Sequence, residues 1–168
     1  TLEIFFLTII FSSILGMFVA FGRMSKFAII RIPIQVFLLI MRGTPLILQL
    51  MFFYFAPYYI FGTTLPRFWA AILAFTLNYS AYIAEIYRSG IESIPVGQYE
   101  AATVLGFGKS ETFFKIILPQ VVKRIIPPMS NELMTLVKDT ALAQVIGVAE
   151  IFKLAGATMS SQFSTVPL

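Results

Sequence analysis

Tyr99 to Gln120 reads YEAATVLGFGKSETFFKIILPQ. It sets Glu100, Lys109, Glu111 and Lys115 between two stretches that are oily enough for a bilayer. A charged, glycine-punctuated segment in such a place has two readings. It is either a polar loop at one face of a membrane or, because it contains Gly108-Lys109-Ser110, the end of a nucleotide-binding loop. A phosphate loop of the form Gly-x-x-x-x-Gly-Lys-Ser/Thr requires glycine five residues before Gly108. That position is Thr103, and no clear strand precedes it. The segment is therefore read as a loop joining two membrane spans.

The composition supports that choice. Of 168 residues, 58% are hydrophobic and 12% charged, with 18 Phe against 12 Lys plus Arg. An average soluble domain is about 25% charged. The mean hydropathy is +0.88, so the fold class expected is an all-α membrane protein, one transmembrane helix bundle over 1–168. The chain has neither Cys nor His. It thus lacks thiolate chemistry, the commonest metal ligand and the usual general base at neutral pH. No catalytic, metal or cofactor site is expected in it. The net charge of +4 fits basic cytoplasmic loops, and nothing points to nucleic acid. The opening TLEIFFLTII lacks the charged region and cleavage site of a secretory signal.

A bilayer-crossing helix needs roughly 20 mostly apolar residues. Four spans are expected, at about 2–21, 33–61, 68–88 and 127–148. In the first, Ser12, Gly16 and Ala20 recur on one face, a spacing suited to close helix contact though also common in membrane helices. The second is too long for one straight span and contains Met41-Arg-Gly-Thr-Pro45. Pro45 has no amide hydrogen to donate. The expectation is a kinked, tilted helix or an interfacial elbow leading into a span near 44–59, with Gly43 and Pro45 shaping the break. Arg42 serves either as an anchor to lipid headgroups or as a brace that holds the loop beside a path through the bundle. In the third span Ala70, Ala74, Asn78 and Ala81 share a face, and Glu85 and Arg88 are i, i+3 partners.

Arg23, Lys26, Arg31, Arg88, Lys109, Lys115, Lys123 and Arg124 fall in the first loop and in 88–126, whereas the 62–67 connection holds only Arg67. The positive-inside rule places the two basic regions in the cytoplasm. The N-terminus and the polar tail 155–168 then lie outside.

Within the quoted segment, Pro95 suits a first helical position. Gln98 to Leu105 can form about two turns, ended by Gly106. Ser110 can cap a second helix with Glu111 near its positive end, and Pro119 ends that helix or bends it into the next. The spacing Glu100-Ala101-Ala102, three residues, Gly106, nine residues, Ile116, one residue, Leu118-Pro119 resembles the EAA motif of bacterial ABC-transporter permeases, the membrane subunits of binding-protein-dependent importers. IPVGQYEAA, RGTPLILQL and VKDTALAQVIGVAEI are similar to the subgroup that imports polar amino acids. The resemblance covers nearly the whole chain. It implies a coupling helix within 93–119, between the third and fourth spans, that enters a groove on a separate ATPase subunit. Glu100, Ala101, Ala102 and Gly106 are the coupling residues.

The same resemblance implies several partners: an ATPase carrying ATP and Mg, a second permease subunit, an extracytoplasmic substrate-binding protein, an amino-acid substrate and membrane lipid. The location implied is the bacterial inner membrane. Members of this type commonly have five spans, so a fifth and the extreme N-terminus are expected beyond the sequence.

The fourth span carries Glu132, Thr135, Asp139 and Thr140. Glu132 and Asp139 are two helical turns apart, nearly on one face, with Thr135 close to the stripe and Lys138 about 100° away. Ionisable groups inside a span usually face a cavity or a partner. Two carboxylates on a pathway attract an ammonium or guanidinium group, which fits a polar, especially a basic, amino acid moved by alternating access. Equally open are structural roles, with Glu132 paired to a cation across the bundle and Asp139 capping a broken helix. Gln49 and Asn78 are pathway candidates that can as readily bond across helices. The alternatives are a permease for another small polar solute, or a secondary transporter or channel that needs no ATPase.

Overall fold

The computed structural model describes residues 1–147. The expected end of the fourth span at 148 and the 155–168 tail lie outside the described residues. The described chain is all helical: α1 Leu2–Arg23, α2 Ala28–Gly43, α3 Leu46–Phe61, α4 Arg67–Glu92, α5 Val96–Val104, α6 Lys109–Glu111 and α7 Leu118–Asp139. A π-helical turn, Thr112–Ile117, joins α6 to α7, and a 3-10 turn, Thr140–Ile146, continues α7.

Helices α1 and α4 form the spine and run parallel. The buried face of α1 is Ile4, Thr8, Ser12, Gly16, Val19 and Ala20, nearly every fourth residue, which is one stripe of a 3.6-residue helix. The small-residue seam is a true contact. A Cβ built on Gly16 would stand 3.0 Å from Ile83 Cγ2 and 3.1 Å from the Ser80 carbonyl oxygen. Ala20 packs with Ala81 and Ala84, so small residues on both helices let the backbones approach. Without a hydrophobic drive between helices in lipid, such close packing is what holds them together. Helix α7 meets α4 in the same way: a Cβ on Gly90 would touch Val121 Cγ1 at 3.3 Å and collide with Ile125.

Among the described residues α1 alone qualifies by length and hydropathy as a bilayer-crossing helix, and α2 with α3 qualify together as a bent pair. The bend is 110° and falls at Thr44-Pro45. Thr44 is extended, as a residue before proline prefers. Gly43 stays inside α2 with no positive φ, so Pro45 alone makes the break. Helix α2 begins at Ala28, before the expected boundary at 33, and accommodates Pro33 within it. It lies against Val19 and Ala20 through Leu38, an elbow rather than half of one long span.

Two expectations about the quoted segment need correction. Gly108, not Ser110, caps the second helix: it is extended, and its N–H donates to Glu111 Oε2 at 3.3 Å. Pro119 does not end the helix. Proline removes one i→i−4 bond and crowds the carbonyl four residues back. The chain widens to a π turn just before it, with Leu118 N–H donating to Phe113 O, and helix runs on from Lys109 to Ile146.

Candidate functional site

The quoted segment forms a short helix held out from one end of the bundle. Helix α5 stops in a Schellman arrangement: the Gly106 N–H donates to Thr103 O at 3.0 Å and the Phe107 N–H to Ala102 O at 3.0 Å. Gly106 takes φ +80 to close it, a conformation in which other residues are strained. Of the sequence candidates, Glu100, Ala101 and Gly106 are exposed. Ala102 is the exception. At 1% exposed it faces inward, so its small side chain lets α5 sit close to its own chain and is not available to a partner. Sequence reasoning missed Val104 and Leu105, apolar side chains 88% and 73% exposed at the tip beside Gly106. Their signal was two apolar residues at the end of a polar stretch.

Both ends of this segment are clamped. Arg124 on α7 donates through Nη1 to the Ser93 carbonyl and to Ser93 Oγ at 2.9 Å. Gln120 Nε2 donates to Gln98 Oε1 at 3.2 Å and to Ile116 O at 2.9 Å. Beneath lie Ile94, Ile117 and Val121, packed by Phe113 and Ile125. Lys115 Nζ pairs with Glu111 at 2.8 Å. That contact and the Gly108 N–H hold the Glu111 carboxyl below its usual range.

At mid-bundle the polar residues fall into two groups. The first serves the α2–α3 break. The Met41 carbonyl has lost its i+4 donor, because that residue is Pro45. Gln49 Nε2 donates to Met41 O at 2.9 Å and to Thr44 Oγ1 at 2.8 Å. Asn78 Nδ2 donates to Met41 O at 3.1 Å and to Gln49 Oε1 at 3.0 Å. Irregular backbone at membrane depth is tolerated only when protein or water satisfies it, and here two buried amides do so.

The second group is on α7. Glu132 and Asp139 are half-buried, Thr135 is exposed, and Thr140 is buried with Oγ1 donating to Val137 O at 2.8 Å. Tyr79 on α4 donates to Asp139 Oδ2 at 2.7 Å, so Asp139 is tied across the bundle and caps nothing. Among the described residues Glu132 has no ion-pair partner within 4.0 Å, although Arg42 and Asp139 act on it electrostatically.

Near the end of α4, Glu85 collects three arginines. Arg88 donates to it from Nη2 at 2.7 Å and from Nε at 3.1 Å. Arg23 Nε and Arg42 Nη1 stand at 3.9 and 4.0 Å. The i, i+3 pair was legible in the sequence, but the two distant arginines were not. Among the described residues no group of three or more His, Cys, Asp or Glu side chains is placed to hold a metal ion.

An all-α bundle with a few buried polar side chains in an apolar core and a clamped short helix at one end is compatible with a membrane transport subunit. Residues 12–167 match the family described as binding-protein-dependent transport system inner membrane component, and the chain belongs to that family. It is 44% identical to the L-cystine transport system permease protein TcyB of Bacillus subtilis, over 92% of this chain and 66% of that one. It is 39% identical to the arginine transport system permease protein ArtQ of the same organism, over 92% of this chain and 71% of that one. The chain thus spans about two thirds of the length of the relatives it matches. Its fold matches the crystal structure of an amino acid ABC transporter with histidines at a TM-score of 0.87 and 34% identity, covering 97% of this chain and 76% of that one. Family membership makes it a transport component of the inner membrane rather than a catalyst.

Proposed function

We propose that the chain is the membrane-spanning subunit of an ATP-driven importer of polar amino acids. Helix α5 would be the element that receives the stroke of a separate ATPase. The observation that carries this reading is the apolar tip of α5, exposed yet fixed to both α4 and α7. An exposed tip of Val104 and Leu105 on a rigid mount suits a groove in a partner. Glu100 beside it offers a charge to that partner. ATP and Mg would bind the ATPase, not this chain. A second permease subunit would complete the path, and an extracytoplasmic binding protein would deliver solute to the outer face. The N-terminus then lies outside and α5 in the cytoplasm.

Within the membrane, Glu132 and Asp139 are the residues we assign to the solute path, with Thr135 at its edge. Two half-buried carboxylates within two turns favour a cationic group. The names of relatives that transport arginine, cystine or glutamine support an amino acid as cargo. Gln49, Asn78 and Thr140 are assigned to holding backbone.

The test is uptake into proteoliposomes with and without the ATPase subunit. Uptake should require both the ATPase and ATP, and Leu105→Asp should lower it at least tenfold while the subunit still inserts and folds. ATP-independent uptake by this chain alone would favour a secondary carrier and end the proposal.

A further inference from the structure

The last turn of α1, the C-terminal half of α2 and α4 enclose a groove lined by Arg23, Gln35, Leu38, Leu39, Arg42 and Glu85. Its charges do not balance. Arg88 already takes the Glu85 carboxylate at 2.7 Å, which leaves Arg23 and Arg42 with only long contacts at 3.9 and 4.0 Å. Arg23 Nε is enclosed and has no hydrogen-bond partner. The Arg42 guanidinium rests over the Tyr82 ring at 5.3 Å, which positions it and leaves donors unfilled. Guanidinium donors in this state suit a phosphate.

The surface of α2 indicates where that phosphate comes from. Ile29, Ile32, Val36 and Leu39 form one outward stripe, 49% to 84% exposed. Arg31, Gln35 and Arg42 lie roughly a quarter-turn round the helix from it. An apolar stripe beside a basic one is the pattern of a helix lying in the membrane interface, with acyl chains on one side and headgroups on the other. Lys26 and Arg31 extend the basic rim.

We propose that this groove seats the phosphate of an anionic phospholipid of the cytoplasmic leaflet, held by Arg23 and Arg42, with its acyl chains along the outward stripe of α2. The cytoplasmic assignment rests on the orientation proposed above. Glu85 holds the two arginines in place and shares Arg88 with Glu92, so the groove's own lining of Arg23, Arg42 and Glu85 keeps one positive charge in excess. A lipid bound there would stiffen the elbow that precedes the Pro45 break.

The experiment is native mass spectrometry of the assembled transporter in detergent, with phosphatidylglycerol and phosphatidylcholine of matched chains. Phosphatidylglycerol should be retained in preference. Arg23→Gln and Arg42→Gln should each lower that preference about fivefold, while Lys123→Gln, a change of equal charge elsewhere, leaves it unchanged. Glu85→Gln should raise it. Equal retention of the two lipids by the unmodified protein overturns the proposal, whether or not the arginine variants fold. Displacement of phosphatidylglycerol by millimolar inorganic phosphate overturns the lipid assignment, since the site would then read phosphate alone. Detergent has no sides and the assay needs no transport, so failure here leaves the importer reading standing, and the reverse also holds.

Discussion

Asn78→Leu tests how the α2–α3 break is held. The substitution keeps side-chain size and removes two donated bonds, to Met41 O at 3.1 Å and to Gln49 Oε1 at 3.0 Å. Met41 O keeps the Gln49 amide at 2.9 Å. Gln49 Oε1 does not fare as well: it sits in a residue only 6% exposed and loses the donor it has. A buried acceptor left alone costs about 1–3 kcal/mol. Hydrogen bonds between membrane helices average about 0.6 kcal/mol because the unfolded state finds other partners. The expected loss is therefore about 1–2 kcal/mol, or a fall of about 2–8 °C in Tm for a chain of this size. Gln49→Leu should cost as much or more, since it strips Met41 O and Thr44 Oγ1 of a donor. The double variant should fall short of the sum by about 1 kcal/mol, because the two amides share a bond. Thermal unfolding of the purified complex measures all three. Spin labels on α2 and α3 should show the 110° bend broadening in the variants. An unchanged Tm with a raised apparent KM for solute would refute the reasoning and place Asn78 in the solute path.

Three further outcomes are expected. Gly106→Ala should cost about 1–2 kcal/mol locally, since the residue needs φ +80 and no neighbour would touch the added Cβ. Read as faster amide exchange over 102–107, it should come with ATP hydrolysis less coupled to uptake; unchanged uptake would count against α5 as the docking element. The Glu111 carboxyl is held below its ordinary 4.5 by Lys115 and the Gly108 N–H, so its support for the start of α6 is full above that value and is lost as pH falls through the lowered one. Exchange at 108–112 should then be slower in the native chain than in Glu111→Gln at neutral pH, with the difference vanishing in acid; a difference that persists in acid would rule out the charge as its cause. Glu132→Gln and Asp139→Asn should weaken uptake of cationic amino acids more than neutral ones, and equal loss for all would assign both carboxylates to structure.

The sequence was most legible where structure is set by neighbours along the chain. Gly106 as a helix stop, Pro45 as a break, the Glu85–Arg88 pair and the Ser12-Gly16-Ala20 face each follow from one residue's backbone limits or from helical period. It was less legible where two local rules compete. Ser110 and Gly108 both suit a cap, and the reach of Glu111 back to the Gly108 N–H decides between them. Pro119 suits a stop, but a π turn precedes it and the helix runs on. Contacts between distant residues were not legible at all. Tyr79 with Asp139, and Arg23 and Arg42 around Glu85, join parts of the chain that only the fold brings together. The inward turn of Ala102 likewise depends on which face of α5 meets the rest of the chain, which a nine-residue helix does not announce by its own pattern.

Asn78 and Tyr79 are neighbours on α4 that point about 100° apart, one gripping the α2–α3 joint and the other the far end of α7. An axle with two such spokes cannot spin without pulling both attachments. Four helices are therefore tied to one another through α4, and α1 packs against the same helix at Ser80 and Ile83. In the importer proposed above, these tied helices would move together as the path opens to one side of the membrane and then the other.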